Sequence, residues 1–144
     1  EELEFYGVDQ RHESDIEGLG RIPAEQQMKS NKVPSFNVIG NSPLVLRESL
    51  LDEVYTMGEN FVEASKRIVA PGMNGPFCIE GVYDENAQFT SFEFSARIVA
   101  GSNIYMDGSP YYNLLFNETM SMGKRIAREV KTAAETNQLD KVTT

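Results

Sequence analysis

FCIEGVYDENAQFTSFEFSARIV, residues 77–99, decides the fold. Two runs rich in apolar and aromatic residues, Phe77–Tyr83 and Phe89–Val99, flank the turn-forming Asp84, Glu85 and Asn86. That pattern predicts two antiparallel strands joined by a tight turn. Strand side chains alternate between faces. Phe92, Phe94 and Ala96 therefore share one face of the second strand, and Glu93, Ser95 and Arg97 the other. In the first strand Glu80 sides with Cys78 and Val82, out of phase with Phe77, Ile79 and Tyr83. The residues leave the register open; one centred near Asn86 and Ala87 would set Glu80 against Glu93. Opposed like charges destabilise a ladder. Two remedies are open on the residues alone. A hard divalent cation can sit between the carboxylates, since Mg²⁺ takes one or two of them and fills its other positions with phosphates and water. Alternatively, both glutamates are solvated on an exposed face, with Arg97 screening them.

Upstream, Leu50, Leu51, Val54, Met57, Phe61, Ser65 and Ile68 recur at helical steps and predict one amphipathic helix. Ser49 and Asp52 resemble a capping box, Lys66 and Arg67 suit the C-terminal end, and Pro71-Gly72 stops the helix, whose first turn is open to an earlier start at Pro43. Downstream, Ala100–Pro110 reads as a glycine-bearing loop. Met122, Ile126, Val130 and Ala133 then mark a final helix capped by Thr119 or Ser121. Toward the start, Leu3–Val8 and Ser35–Ile39 read as strands, the second stopped by Gly40-Asn41-Ser42-Pro43. The segment 9–21 reads as strand end plus loop, and Pro23 opens a short helix through Lys29. The expectation is a single α+β domain over residues 1–144, an antiparallel sheet flanked by helices.

Composition removes several functions. With 13 Lys and Arg against 22 Asp and Glu the chain carries −9, so no basic excess exists to bind nucleic acid or anionic membrane. One Cys precludes an internal disulfide, and with one His a zinc site built from these two types lacks ligands. No apolar run approaches a membrane span, and no signal-peptide pattern opens the chain. These features, with Glu1 in place of Met, lead us to expect part of a longer cytoplasmic protein.

Other residues weigh less. Cys78 reads as a small core residue rather than a nucleophile, with no His near it in sequence. His12 reads as an exposed loop histidine or a polar contact. Gly72 and Gly75 fit a turn and no phosphate-loop pattern. Lys124, Arg125 and Arg128 form a basic helix face, either solvated or directed at a phosphate.

The pair CIEGVYD and FEFSARIVAG resembles the C-terminal hairpin of ATP-grasp ligases, in which a Glu on one strand and Glu-x-Asn-x-Arg on the next hold magnesium and ATP phosphates. Ser95 stands where many relatives carry Asn. From about Leu3 onward, GVDQRHESDIEGLGRIPA, VIGNSPLVLRESLLDEV, GPFCIEGVYD, FEFSARIVAGSNIYMDGSPY and MSMGKRIAREVK together resemble the C-terminal part of the archaeal PurP family of purine-biosynthesis ligases. The resemblance implies ATP- and formate-dependent formylation of aminoimidazole carboxamide ribonucleotide through formyl phosphate. It implies Glu80 and Glu93 as ligands of Mg²⁺ or Mn²⁺, Arg97 at the phosphates, Glu13 on the ATP side and Asn41 on the ribonucleotide. It also implies a homo-oligomer. Without the family, Asn41 reads as a turn residue and Glu13 as a solvated loop charge. Two other functions stay open. One is a non-catalytic assembly module that makes contact through a helix or through Tyr105, Tyr111 and Tyr112; the other is a related ligase for a different acid and amine.

Overall fold

Two antiparallel ribbons, not one sheet, carry the fold of the computed structural model, which describes residues 2–142. Strands β1 (Val8–Glu13) and β2 (Val38–Leu44) form the first; β3 (Cys78–Tyr83) and β4 (Phe89–Ser95) form the second. Helices α1 (Ile16–Gly20) and α2 (Ala24–Lys29) connect β1 to β2, and α3 (Leu51–Ile68) connects the ribbons. After β4 come α4 (Pro110–Phe116) and α5 (Met122–Glu135). The α+β class stands. No helix among the described residues is long and apolar enough to cross a membrane.

The hairpin adopts the register that opposes the two glutamates. Cys78 pairs with Ser95, Ile79 with Phe94 and Glu80 with Glu93. The ladder then slips by one, so that Gly81 faces Ser91 and Phe92 is the extra residue of a bulge. Gly81 is required there, because a Cβ would meet the Phe89 ring and the Thr90 carbonyl oxygen. One face of this ribbon lies against α3: Phe61 stacks on Phe77 at 4.7 Å and meets Phe94 at 5.0 Å between centroids. The helix stripe therefore works largely as expected, although Ile68 at its end is 80% exposed.

Several boundaries differ from the sequence expectation. β1 starts at Val8 and runs through the charged residues, and α1 occupies what read as loop. β2 runs straight through Gly40, Asn41, Ser42 and Pro43. A two-stranded ribbon has two edges, so a proline without an N–H is tolerated in it. Pro43 therefore starts no helix, and a 3₁₀ turn at Glu48–Leu50 leads into α3 instead. Ser49 lies inside that turn and makes no side-chain cap, so the capping box does not form. β4 ends at Ser95, short of Arg97. Phe92 and Phe94 do not form an aromatic core: they are 67% and 60% exposed. The bulge takes Phe92 out of alternation, and α3 covers only part of that face.

The fully buried interior is small. Tyr112, Met120, Ala133 and Ser109 gather where α4 and α5 meet the N-terminal arm, and Gly58 in α3 and Gly101 are the other buried positions among the described residues. Ser109 caps α4 by accepting the Tyr112 amide, with Pro110 in the first turn, and Ser121, not Thr119, caps α5 through the Lys124 amide.

Candidate functional site

β1 supplies the first part of the site through alternation. Asp9, Arg11 and Glu13 share one face of the ribbon, and Asn41 stands opposite Arg11 on β2. The Asn41 amide donates to the Asp9 carboxylate. Gly101 makes room for that carboxylate, which a Cβ there would strike. Arg11 forks. One guanidinium nitrogen donates to Glu13 at 2.7 Å, and the other crosses to the second ribbon and donates to Glu80 at 3.0 Å.

The hairpin supplies the second part. Glu80 and Glu93 share a rung with Cys78 and Ser95 beside them on the same face. Glu93 is exposed, and its side chain has no hydrogen bond or ion pair among the described residues. Arg97 lies past the strand end and donates to the Ile98 carbonyl at 2.9 Å. The Cys78 thiol senses this neighbourhood. Burial, then the charges of Glu80 and Asp9, push it up to about 11, with Arg97 acting against them and Glu93 with them. A thiol held so high is a poor nucleophile at neutral pH; Cys78 is, however, half-buried on the face of the rung rather than a core residue.

The structure thus sets Glu80 opposite Glu93 on the hairpin, places Arg97 beyond the end of β4, ties Glu13 to Glu80 through Arg11, and ties Asn41 to Asp9 within the first ribbon. Asn41 is a strand residue, not a turn residue, and Glu13 ends a strand rather than sitting in a loop. No three His, Cys, Asp or Glu among the described residues are grouped to hold a metal by themselves. Two carboxylates on one rung still match the small protein share of Mg²⁺ coordination, where phosphates and water complete the octahedron. Four carboxylates (Asp9, Glu13, Glu80, Glu93) against two guanidiniums (Arg11, Arg97) leave a net charge of −2, which one divalent cation cancels.

Asp9 and Arg11 were not expected as site residues. Their signal was the strict alternation Asp9, Arg11, Glu13, hidden in a segment that read as a charged loop. His12 points to the opposite face, 3.0 Å from Glu17 and 2.9 Å from the Ser42 hydroxyl, half-buried in a strand rather than exposed in a loop.

The basic face of α5 is occupied by acids. Arg125 grips Glu4 with two nitrogens, at 2.8 and 2.9 Å, and also meets Glu129 at 2.6 Å; Lys124 and Arg128 pair with Glu118. The tyrosines of the loop and α4 turn inward as well. The Tyr112 hydroxyl donates to Glu4 at 2.8 Å, that of Tyr111 accepts the Leu46 amide at 2.9 Å, and that of Tyr105 donates to the Val8 carbonyl. They act as internal struts, with Tyr112 buried and Tyr105 and Tyr111 half-buried. Behind the rung, a groove of about 660 Å³ opens between α3 and the hairpin, with Met57, Phe61, Ile79, Phe92 and Phe94 in its lining.

Comparison with known proteins gives a consistent picture. The model for a family described as "Domain of unknown function (DUF1297)" matches residues 1–144. A curated protein of Cenarchaeum symbiosum, named 5-formaminoimidazole-4-carboxamide-1-(beta)-D-ribofuranosyl 5'-monophosphate synthetase, is 72% identical over 143 residues, which cover 99% of this chain and 42% of that protein. A protein of the same name from Methanosphaera stadtmanae is 48% identical over 144 residues, 100% of this chain and 40% of that protein. The crystal structure of an IMP biosynthesis protein PurP from Thermococcus kodakaraensis matches with a TM-score of 0.76 at 34% identity, covering 100% of this chain and 45% of that one. The chain therefore spans less than half the length of each.

Proposed function

The chain belongs to the DUF1297 family and is a PurP-family domain, and we propose that it is the metal- and substrate-bearing C-terminal lobe of an ATP- and formate-dependent ligase. In this reading the whole enzyme formylates aminoimidazole carboxamide ribonucleotide on the way to IMP. The observation that carries it is the Glu80–Glu93 rung, two opposed carboxylates of which one has no side-chain partner among the described residues, in a chain 72% identical to a named synthetase.

The chemistry runs in two steps. Formate oxygen attacks the terminal phosphorus of ATP, which expels ADP and forms formyl phosphate. The amine of the ribonucleotide then attacks the formyl carbon, loses a proton and expels phosphate. A bound Mg²⁺, or Mn²⁺, would neutralise the phosphate oxygens during the first step. Glu80 and Glu93 would hold it. Arg97, at the end of the same ribbon, would take a phosphate oxygen; its guanidinium suits that partner. Glu13 would face the nucleotide. Asn41 would meet the ribonucleotide carboxamide: the Asp9 bond engages its amide nitrogen and leaves the side-chain oxygen as an acceptor. The isolated chain would not turn over, because pre-organisation of ATP needs groups outside it. Assembly of the whole enzyme as a homo-oligomer is part of the same proposal.

Calorimetric titration with Mg²⁺ and a non-hydrolysable ATP analogue tests the assignment. Metal-dependent binding should vanish in Glu80→Gln and in Glu93→Gln. Unchanged binding in either variant would remove that residue from the metal site. The same titration on a longer relative separates a missing nucleotide lobe from a wrong assignment.

A further inference from the structure

Among the described residues, one side-chain ion pair links the two ribbons, and Arg11 makes it. Its guanidinium spans Glu13 on β1 and Glu80 on β3, at 2.7 and 3.0 Å, and its ladder partner is Asn41. The three residues it touches or faces are those assigned to nucleotide, metal and ribonucleotide. The two carboxylates of the rung differ in surroundings: the Glu80 side chain is 21% exposed, whereas Glu93 is exposed and its side chain has no partner among the described residues. One carboxylate of the pair is therefore held in place and the other is not.

We infer that Arg11 is a positioning residue that fixes the Glu80 carboxylate for the metal. This rests on the assignment of Glu80 and Glu93 to the metal. An ionised carboxylate has about four lone-pair sites. Arg11 occupies one oxygen, Oε2, and leaves the other oxygen for a cation. Outer partners of this kind orient metal-binding carboxylates, and their loss costs about ten- to hundredfold in metal affinity. A guanidinium also repels a divalent ion. The Glu13 carboxylate, 2.7 Å from the same guanidinium, offsets that charge, so the orientation set by the hydrogen bond to Glu80 should dominate. Lysine is a poor substitute, because a single ammonium on a flexible stem cannot hold two carboxylates with the fixed geometry of a planar fork.

The test is Mn²⁺ binding to the chain without nucleotide, followed by the loss of the free-ion electron paramagnetic resonance signal. Arg11→Met should weaken binding by about ten- to hundredfold, and Arg11→Lys should recover part of the loss. Glu80→Gln should abolish the same binding, and adding Arg11→Met to it should change nothing further, since Arg11 acts through Glu80. Urea midpoints of all variants verify that they are folded, and Arg11→Lys keeps the test decisive if Arg11→Met is not. Mn²⁺ bound as tightly by both Arg11 variants as by the wild type, with binding still lost in Glu80→Gln, would overturn the inference and leave the metal assignment standing. Wild-type binding by Glu80→Gln and Glu93→Gln would overturn both.

Discussion

The Glu4–Arg125 cluster and the Glu80–Glu93 rung both gather charge, and they do it in opposite ways. At the first, every charge has a partner within the chain: Arg125 takes Glu4 and Glu129, Tyr112 donates to Glu4, and the Phe116 ring lies 5.8 Å under the guanidinium. The shifts agree. Partial burial opposes ionisation of Glu4, but the Arg125 and Tyr112 hydrogen bonds outweigh it and hold the carboxyl below its usual range. Glu4 hydrogen bonding in turn holds Arg125 above its own range. At the rung, like charges oppose each other, the Glu93 side chain has no partner among the described residues, and Phe92 and Phe94 are largely exposed nearby. The first region is closed by this chain. The second breaks local rules in the way functional sites do, as the metal role proposed for it requires.

The contrast predicts where substitutions act, and the largest effect on folding belongs to the closed region. Tyr112 is 5% exposed and packs edge-on against Tyr6 and Phe116, at 4.7 and 5.4 Å. Tyr112→Ala should cost about 3–5 kcal/mol in urea unfolding, a large share of the stability of a domain this size. A loss under about 1 kcal/mol would mean that the region is not closed by its own packing.

Arg125→Met comes next. Removing charge-assisted hydrogen bonds to a half-buried carboxylate should cost about 2 kcal/mol at pH 7. It should also change the acid limb of the stability profile. The folded pKa of Glu4 lies below its unfolded value, so its contribution is complete above about pH 4.5 and is lost as pH falls through the folded pKa. Urea midpoints between about pH 6 and pH 3 should therefore fall less steeply in Arg125→Met than in the wild type. Parallel profiles would place the acid sensitivity elsewhere.

The two regions were not equally legible in sequence. The rung was legible in part: alternation predicts the face of each glutamate, but not the register. The turn, with Tyr83 facing Phe89, would by itself set Glu80 against Phe92, and the bulge at Phe92 brings Glu93 opposite Glu80. An inserted residue leaves no mark in composition, and only Gly81 hints at the crowding. The α3 stripe was legible as helical periodicity. β1 was not, because Asp9, Arg11 and Glu13 lack β-favouring side chains, and their alternation means something only beside a partner. The partner of Arg11 is 69 residues away, and no local pattern announces a contact of that span. α4 was legible and went unread, since Ser109-Pro110 is a cap followed by a first-turn proline. The closed cluster was opaque for the same reason as Arg11. Glu4 and Arg125 are 121 residues apart, and a basic helix face looks alike in sequence whether it awaits a phosphate or already holds acids.

The smallest expected effect gives the sharpest view of the open region. Phe92 is an aromatic residue in a strand, and in a closed fold truncating it would cost several kcal/mol. Here it is 67% exposed at a bulge, with no ladder partner and no ring against it among the described residues. Phe92→Ser should therefore change the stability of this chain by no more than about 0.5 kcal/mol. Because Phe92 is no part of the carboxylate rung, Mn²⁺ affinity should not move either. A cost of about 2 kcal/mol would show that the hairpin face is already packed, and the contrast with the Glu4–Arg125 cluster would collapse. A near-zero cost here, with a larger one in a longer polypeptide that covers this face, would assign Phe92 to the contact that completes the fold. The aromatic side chain would then be a core residue whose core is only partly present in these 144 residues.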